Sequence, residues 1–225
     1  MDESSNRPKR GTEGAERPDP RAHGAPLVVR DRYDRIAPIY DAVEVFMELR
    51  FSPWRRDLWS RVEGPRVLEL GAGTGKNLRF YPLGADVTLT DFSPRMLERA
   101  RRKAAKLGKA PRIEVADAQH LQYEDGCFDT VIATFLFSSV PDALRGLREA
   151  RRVLKPGGQL LLLEHVLSKI PVLHSLMKWF DFVPFYVWGA HMNRDTVSTV
   201  RKAGFTQIGI ENKSLDIVKA ISARS

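Results

Sequence analysis

A glycine-rich loop that follows a short apolar run constrains this chain more than any other feature of its sequence. After Val67-Leu68 the chain reads Glu69-Leu70-Gly71-Ala72-Gly73-Thr74-Gly75, and a stretch of helical character follows. Glycine allows left-handed backbone and lets a ligand come close to the main chain. In a doubly wound sheet, nucleotide-like cofactors bind in the crevice beyond the carboxyl end of the first strand. The pattern therefore predicts an α/β fold with a cofactor site at this loop.

The spacing of the glycines disfavours two common kinds of nucleotide site. A dinucleotide fingerprint reads Gly-x-Gly-x-x-Gly, but the sixth position counted from Gly71 is Lys76. A phosphate-binding P-loop needs a glycine five residues before its Gly-Lys pair and a Ser or Thr after it, and this chain has Leu70 and Asn77 there. NAD, ATP and GTP therefore fit poorly, and the remaining pattern is acidic-x-Gly-x-Gly-x-Gly.

This loop resembles the first motif of the class I S-adenosylmethionine-dependent methyltransferases, and the resemblance runs from about Tyr33 to the C-terminus. It implies a Rossmann-like, mostly parallel sheet of seven strands in the order 3-2-1-4-5-7-6, with the last strand antiparallel and helices on both faces. It also implies S-adenosylmethionine as cofactor and S-adenosylhomocysteine as product. This cofactor carries a sulfonium and an ammonium but no phosphate, so carboxylates and close main chain suit it better than a cationic clamp. No metal site is predicted.

Two acidic residues are predicted to hold the cofactor. Glu69 is placed to interact with its methionine end, directly or through water, while the loop backbone passes under the adenosine. Asp91 ends a predicted strand at residues 85–90, about 20 residues after the first glycine, where a ribose-binding acid belongs in a Rossmann-like unit. Pro94 follows Ser93, so the alternative is that Asp91 simply begins a helix.

Further cofactor contacts follow from the next strands. Phe92 is predicted to lie against the adenine, and the resemblance implies that Asp117, after a strand at residues 112–115, bonds the adenine amino group. Residues 134–137 are predicted to line the cleft between cofactor and acceptor. The complete predicted set of cofactor-binding residues is Tyr33, Tyr40, Glu69, Gly71, Ala72, Gly73, Gly75, Asn77, Asp91, Phe92, Ser93, Met96, Asp117, Ala118 and Thr134.

The rest of the chain alternates strand and helix patterns, which is typical of a parallel sheet covered on both faces. Strands are predicted at residues 128–133 and 159–164, and helices at residues 94–107, 141–154 and 193–203. Asn193 is the predicted cap of the last helix and Gly204 its terminator. Residues 205–211 and 214–221 are predicted to form the final hairpin, with a turn at residues 212–213.

The length of 225 residues suffices for one α/β domain. Residues 1–26 are rich in Pro, Gly and charge and lack apolar periodicity, so we predict a disordered tail. Residues 27–225 are predicted to form a single domain with a helical lid at 30–62 and an acceptor-side insert at 170–192. The tail lacks the apolar core of a secretory signal, and the single cysteine fits a reducing compartment, so the cytoplasm is the predicted location.

The insert is dense in aromatic side chains, namely Trp179, Phe180, Phe182, Phe185, Tyr186 and Trp188. It is too short and too polar to span a bilayer, but aromatic residues favour the headgroup level. The net charge of +8 would attract an anionic leaflet. We therefore predict a lipid-like or small-molecule acceptor and peripheral binding to an anionic membrane on its inner face. The alternative is that the aromatic residues line an acceptor pocket or form a dimer contact, and that the excess of basic residues only keeps the protein soluble.

Nucleic acid is not a predicted partner, despite a calculated pI of 9.8. Base-amino methyltransferases carry an Asn or Asp-Pro-Pro-aromatic motif after strand four, whereas this chain has Thr134-Phe135-Leu136-Phe137. No RNA-binding module is recognisable, so the basic residues are more simply solvated helix faces.

A base is needed if the acceptor is an amine or a quinol carbon, because either must lose a proton. His165 and Tyr40 are the predicted catalytic residues, with His174 and His191 as weaker candidates. The segment around Tyr33 and Tyr40 resembles one that lies over the cofactor in quinone and phospholipid methyltransferases, although both tyrosines are also explained as packing residues. His165 is equally explained as a histidine bonded to a backbone carbonyl.

The leading prediction for the reaction is N-methylation of phosphatidylethanolamine. The chain resembles bacterial phospholipid N-methyltransferases and the ubiquinone/menaquinone C-methyltransferases, with some similarity to thiol methyltransferases around Glu164-His165-Val166. Quinone C-methylation and thiol methylation stay open as alternatives. A protein of another class, one that senses S-adenosylmethionine without catalysis, also fits the cofactor motifs.

Overall fold

The computed structural model describes residues 48–165, 195–214 and 217–225, which form a seven-stranded sheet with helices on both faces. The strands are β1 Arg66–Leu70, β2 Asp86–Asp91, β3 Arg112–Val115, β4 Phe128–Thr134, β5 Leu154–His165, β6 Thr206–Ser214 and β7 Val218–Arg224. The helices are α1, described over residues 48–59, α2 Pro94–Lys106, α3 Ala143–Val153 and α4 Thr196–Lys202. A 3-10 turn covers Leu78–Phe80.

The strand order is β3-β2-β1-β4-β5-β7-β6, as predicted. Strands β1 to β5 pair in parallel, whereas β7 runs antiparallel to both β5 and β6. Glu69 stands beside Leu89 of β2 and Ile132 of β4. The carboxyl ends of β1 to β4 therefore meet at one edge of the sheet, where ligands bind in folds of this kind.

Two apolar layers hold the sheet between its helices. Because side chains of a strand alternate between faces, neighbouring residues of β1 belong to different layers. Val67 packs in the layer under α1 and α2, which contains Leu58, Trp59, Leu97 and Ala100. Leu68 packs in the layer under α3 and α4, which contains Leu147, Val153 and Val200. Both faces of the central strands are thus buried, which explains their continuous apolar runs.

Side-chain caps fix where the helices begin. Ser93 accepts a hydrogen bond from the N–H of Met96 at 3.2 Å and begins α2, with Pro94 in the first turn. Asp142 begins α3 in the same way. The predicted cap of the last helix was wrong: Asp195, not Asn193, accepts from the N–H of Ser198 at 3.0 Å, and α4 starts at Thr196. Asn and Asp can both cap a helix, so the sequence pattern alone did not distinguish Asn193 from Asp195.

Two further expectations needed correction. The chain after the glycine loop forms only the 3-10 turn at Leu78–Phe80, rather than a longer helix. The predicted turn at residues 212–213 lies inside β6, which continues to Ser214. Lys213 is held there by Asp57 at 2.8 Å and Glu211 at 2.9 Å, so side-chain ion pairs outweigh the turn preference of Asn-Lys.

Several predicted segments fall on residues that the structure does not describe. These are the tail at 1–26, the first part of the lid at 30–62 and the aromatic insert at 170–192. Residues 48–62 of the lid are described and contain α1. Among the described residues, no helix combines the length and the apolar character needed to cross a bilayer.

Candidate functional site

A main-chain hydrogen bond attaches the glycine loop at residues 71–75 to the carboxyl end of β2. Ala72 donates its N–H to the carbonyl of Thr90 at 2.9 Å. Gly71, Gly73 and Gly75 have φ angles of 65°, 56° and 76°, in the left-handed region that favours glycine. The loop therefore needs glycine for its path, as the sequence pattern predicted.

The three glycines differ in the space around them. A Cβ added to Gly71 would lie 2.5 Å from Cδ1 of Leu136, and one added to Gly75 would lie 2.5 Å from Cδ1 of Leu78. A Cβ added to Gly73 would meet no atom within 4 Å. An added Cβ at Gly71 or Gly75 would thus crowd packed side chains inside the protein, whereas Gly73 borders open space at the sheet edge.

Asp91, the last residue of β2, is half-buried beside that space. Its carboxylate accepts from the N–H of Gly73 at 2.8 Å and from the N–H of Ser93, also at 2.8 Å. These backbone donors orient the carboxylate and join the loop to the start of α2. The next residue, Phe92, is half-buried, whereas Met96 is only 1% exposed.

Glu69, near the end of β1, has a different environment. Its side chain is 0% exposed, and it accepts hydrogen bonds from Nδ2 of Asn77 at 2.6 Å and from the hydroxyl of Tyr81. Burial raises the pKa of Glu69 to about 7, against the lowering effect of these two hydrogen bonds. Burial and the neighbouring carboxylate raise the pKa of Tyr81 well above its ordinary value. Glu69 is therefore a buried acceptor that organises the residues around it.

Arg55 of α1 completes this buried group. Its Nη1 donates to Oγ1 of Thr134 at 2.6 Å and to Oδ1 of Asn77 at 3.1 Å, and its side chain pairs with Glu48 at 3.5 Å. Asn77 also donates to Oγ1 of Thr134 at 3.1 Å. Helix α1, the segment after the glycine loop and the ends of β1 and β4 are thus connected by one hydrogen-bond network. We call Arg55, Glu69, Asn77, Tyr81 and Thr134 the buried network.

Sequence reasoning named three members of this network and missed Arg55 and Tyr81. Arg55 carried a usable signal, because at helical spacing it falls on the same face of α1 as Leu58 and Trp59, both 1% exposed. A cation on an apolar helix face needs a buried partner. Tyr81 carried no comparable signal, since nothing in its local sequence distinguishes it from a packing tyrosine.

Asp117 and Ala118 lie after β3, one strand beyond Asp91. Oδ1 of Asp117 accepts from the N–H of Gln119 at 2.8 Å, and Gln119 also donates from Nε2 at 3.1 Å. Ala118 packs against the core under α3. Because β2 and β3 pair in parallel, Asp117 follows β3 at the same edge of the sheet. Its contact with the adenine stays a prediction.

An aromatic group lies at the ends of β4 and β5. The ring of Phe135 stacks on His165 with centroids 4.6 Å apart, and Phe51 of α1 lies 4.8 Å from Phe135 and 5.9 Å from His165. The guanidinium of Arg55 lies 5.2 Å from the centroid of Phe135. His165 is therefore half-buried at the strand end predicted for it, fixed between two aromatic rings.

Glu164, adjacent to His165, supports the backbone under this aromatic group. Its side chain is 0% exposed, and Oε1 accepts from the N–H groups of Leu136 at 3.0 Å and Phe137 at 2.9 Å. Phe135, the residue before them, has a φ of 57°, which is unusual for a bulky side chain. The buried carboxylate thus holds a strained turn in place at the cleft.

The structure brings the predicted residues Glu69, Gly73, Asn77, Asp91 and Thr134 to one edge of the sheet. The predicted residues Tyr33 and Tyr40, together with His174 and His191, lie outside the described residues. Their roles stay predictions.

Comparisons with known proteins place these features in a family. A family described as a methyltransferase domain matches residues 68–162. The chain is 42% identical over 123 residues to a phosphatidylethanolamine N-methyltransferase of Cereibacter sphaeroides, covering 53% of this chain but only 61% of that relative. It is 31% identical over 214 residues to the ubiquinone/menaquinone biosynthesis C-methyltransferase UbiE of Acidiphilium cryptum, covering 83% and 86% of the two chains.

The fold is also similar to that of solved structures. An S-adenosylmethionine-dependent methyltransferase from Thermotoga maritima superposes with a TM-score of 0.69 at 19% identity. The superposition covers 86% of this chain and 98% of that one. At this identity the likeness concerns the fold alone.

Proposed function

The chain belongs to the class I S-adenosylmethionine-dependent methyltransferases, and from this premise we propose that it methylates the amine of phosphatidylethanolamine at a membrane surface. The observation that carries the cofactor half of this proposal is the open space over Gly73, bordered by the half-buried carboxylate of Asp91. The acceptor half is supported by the 42% identity to a phosphatidylethanolamine N-methyltransferase.

The residues at this edge of the sheet fit S-adenosylmethionine. Asp91 would accept from the ribose hydroxyls, because its carboxylate is oriented by the N–H groups of Gly73 and Ser93. Gly73 would let the main chain contact the ligand directly, since no atom lies within 4 Å of its missing Cβ. When bound, S-adenosylmethionine supplies an electrophilic methyl group to the nucleophile of the acceptor.

The buried network would act on the cofactor through Asn77 and Thr134. Glu69 and Arg55 both bond Asn77, so the orientation of that amide is fixed from two sides. A fixed site loses little freedom when ligands bind, and such preorganisation contributes to the rate by holding reactants in line. We propose that this network is what Glu69 contributes to the site.

His165 is the proposed base for the amine. A protonated amine has no lone pair, so its nitrogen must lose a proton before it can attack. The stacking of His165 on Phe135 and its contact with Phe51 hold the imidazole at the carboxyl end of β5. His165 would take the proton from the acceptor and release it to solvent after transfer.

C-methylation of a ubiquinone or menaquinone precursor is the second candidate. The alignment with the UbiE relative supports it, because that alignment covers 86% of the relative at 31% identity. A quinol carbon would also need a base, so His165 serves either chemistry.

Radiolabelled S-adenosylmethionine tests the two candidates. The purified chain would be incubated with phosphatidylethanolamine vesicles, with a demethylated quinol in detergent, and with a small thiol. We expect label in monomethylated phosphatidylethanolamine. Label confined to the quinol or the thiol would contradict the lipid acceptor, and absence of label from all three would favour a cofactor-binding protein without catalysis.

Two histidine variants test whether His165 is the base. His165→Gln should lower turnover by roughly 100-fold while leaving cofactor affinity unchanged. His120→Gln is the matched control, because His120 is exposed after β3. Equal turnover in both variants would remove His165 from the mechanism.

A further inference from the structure

The hydroxyl of Thr134, at the end of β4, receives two hydrogen bonds inside the buried network. Nη1 of Arg55 donates to its Oγ1 at 2.6 Å, and Nδ2 of Asn77 donates to the same atom at 3.1 Å. A guanidinium has only N–H donors, and the nitrogen of an amide is a donor as well. Thr134 is therefore the acceptor in both bonds.

The neighbours of Asn77 fix which way its amide points. Its Oδ1 accepts from Arg55 at 3.1 Å, and its Nδ2 donates to Oε1 of Glu69 at 2.6 Å. A reversed amide would turn its N–H groups towards the guanidinium, which accepts nothing. The two N–H groups of Asn77 are thus used by Glu69 and Thr134, and neither is left to donate to a ligand.

The hydroxyl of Thr134, in contrast, still has a proton to donate. A hydroxyl has one proton and two acceptor lone pairs, and both lone pairs of Thr134 are occupied by Arg55 and Asn77. Within residues 48–165, 195–214 and 217–225, no atom accepts this proton. Thr134 is 7% exposed, and a buried donor without an acceptor is costly. A ligand that supplies an acceptor would remove this cost.

Arg55 makes the hydroxyl of Thr134 a stronger donor. A hydrogen bond from a cation polarises the hydroxyl that receives it, so the hydroxyl donates more strongly in turn. Arg55 is 6% exposed and is also held by Glu48 at 3.5 Å and by the ring of Phe135, whose centroid is 5.2 Å away. Hydrogen bonds to ionised oxygens are the strong ones, so a carboxylate is the acceptor that suits this donor best.

The place of Thr134 along the sheet edge indicates which part of the cofactor it meets. Asp91, the proposed ribose acceptor, ends β2, and Asp117, the predicted adenine contact, follows β3. Strand β4 lies on the other side of β1 from these two strands. Neighbouring strands are about 4.8 Å apart, so the ends of β2 and β4 are roughly 10 Å apart. The amino-acid end of the cofactor extends from the ribose in this direction, and it carries a carboxylate.

We propose that Thr134 donates its hydroxyl proton to the carboxylate of S-adenosylmethionine, and that Arg55 is the positioning residue that fixes this direction. The inference rests on the proposed function for the cofactor and for its ribose at Asp91, and it deepens that function by naming the contact. It does not depend on which acceptor is methylated. S-Adenosylhomocysteine has the same carboxylate, so binding alone tests the contact.

Two ligands test the contact on the unmodified chain. Titration calorimetry would compare S-adenosylhomocysteine with its decarboxylated analogue, which keeps the ammonium. We expect S-adenosylhomocysteine to bind at least about 10-fold more tightly, because hydrogen bonds to charged groups are among the strong ones. Equal affinities would overturn the inference. If neither ligand binds, the cofactor site itself is wrong, whereas methylation of another acceptor would count against the lipid alone.

Thr134 variants show whether its hydroxyl causes this preference. Thr134→Val keeps the shape and should weaken binding of S-adenosylhomocysteine by about 10-fold, with the affinity for the analogue unchanged. Thr134→Ser keeps the hydroxyl and should keep most of the preference. Equal losses for both ligands in Thr134→Val would overturn the contact. The comparison on the unmodified chain decides the matter if this variant does not fold.

Thr130→Val is the matched control. Thr130 is 0% exposed on the same face of β4, and its hydroxyl donates to the carbonyl of Glu63 at 2.7 Å. Its replacement should destabilise the fold and leave the preference for S-adenosylhomocysteine unchanged. The same loss of preference in the Thr130 and Thr134 variants would mean that the hydroxyl of Thr134 acts only through the fold.

Arg55 variants test the positioning role. Arg55→Met opens a lone pair of Thr134 and leaves Oδ1 of Asn77 without its donor, so the hydroxyl can turn towards Asn77. We expect the preference for S-adenosylhomocysteine over the analogue to fall by about 5-fold. Arg55→Lys still has a charged donor and should retain more of it. An unchanged preference in Arg55→Met would overturn the positioning role.

Discussion

Glu69 and Asp91 lie at the carboxyl ends of adjacent parallel strands, at the same edge of the sheet, yet their surroundings differ. Glu69 is 0% exposed and accepts from the side chains of Asn77 and Tyr81, whereas Asp91 is half-buried and accepts from the main chain of Gly73 and Ser93. Glu69 joins elements of the fold, because it accepts hydrogen bonds from two other side chains. Backbone donors orient Asp91 towards open space. The comparison teaches that two acids at one edge of a sheet can have different environments, which suit Glu69 to supporting the fold and suit Asp91 to its proposed role in ligand binding.

The largest expected effect is a loss of stability on replacement of Glu69, the buried member of the pair. Glu69→Ala leaves Asn77 and Tyr81 without their acceptor, and each buried donor without a partner costs about 1 to 3 kcal/mol. We expect the free energy of unfolding to fall by about 3 kcal/mol in urea titrations. Glu98→Ala is the control, since Glu98 is 53% exposed on α2 and its pair with Arg102 contributes roughly 0.5 kcal/mol or less. Similar losses in both variants would contradict the supporting role of Glu69.

The pH dependence of stability should show the raised pKa of Glu69. Its pKa moves from 4.5 in the unfolded chain to about 7 in the fold, so the native state holds the proton more tightly. Its contribution is therefore complete below about pH 4.5 and is lost as the pH rises through about 7. Relative to Glu69→Gln, the unmodified chain should lose on the order of 2 to 3 kcal/mol between these limits.

Urea titrations of both proteins across this pH range give the measurement. The other carboxylates with shifted values, such as Asp129 and Glu149, have lowered pKa values and occur in both proteins, so they cancel in the difference. A constant difference between the two proteins across the range would mean that Glu69 does not titrate there.

At Asp91, the half-buried member of the pair, the expected effect is on ligand affinity. Asp91→Ala should weaken binding of S-adenosylhomocysteine by about 2 kcal/mol in titration calorimetry, through the loss of charged hydrogen bonds. Asp86→Ala is a matched control, because Asp86 is exposed at the opposite end of the same strand. The role of Asp91 would be refuted by equal affinities of the two variants.

The smallest expected effect, at the glycine loop, separates the stability of the fold from the affinity for the ligand. Gly73→Ala and Gly84→Ala both place a Cβ in open space at left-handed φ angles of 56° and 79°. Both should destabilise the fold by about 1 kcal/mol. Only Gly73→Ala should also weaken binding of S-adenosylhomocysteine, by about 1 kcal/mol, because its Cβ enters the space for the ligand. Equal binding by both variants would place the ligand away from Gly73.

The strands and the glycine loop were predictable because their sequence signals are local, whereas the strand order came from the resemblance to the class I methyltransferases. Apolar runs gave the central strands, and the glycine spacing gave the loop whose left-handed angles the structure contains. The last hairpin was predicted in direction but not in position. Besides its local pair with Glu211, Lys213 is kept in β6 by an ion pair with Asp57 of α1, which is 156 positions away in the sequence. Such contacts leave no trace in the local pattern.

The position of Asp91 at a strand end was predictable, because it follows from the local strand pattern, whereas its role in ligand binding stays a prediction. The buried network depends on Arg55, which is 79 positions from Thr134 in the sequence. Partners this distant meet only when the sheet is assembled, so a single sequence cannot pair them.

We propose that Glu69 supports the fold and that Asp91 binds the ligand. A crystal structure with bound S-adenosylhomocysteine tests this division most directly. We expect the ribose hydroxyls within hydrogen-bonding distance of the Asp91 carboxylate, with Glu69 still bonded to Asn77 and Tyr81. A ribose placed away from Asp91, or a Glu69 side chain that leaves Tyr81 to bind the ligand, would contradict this account.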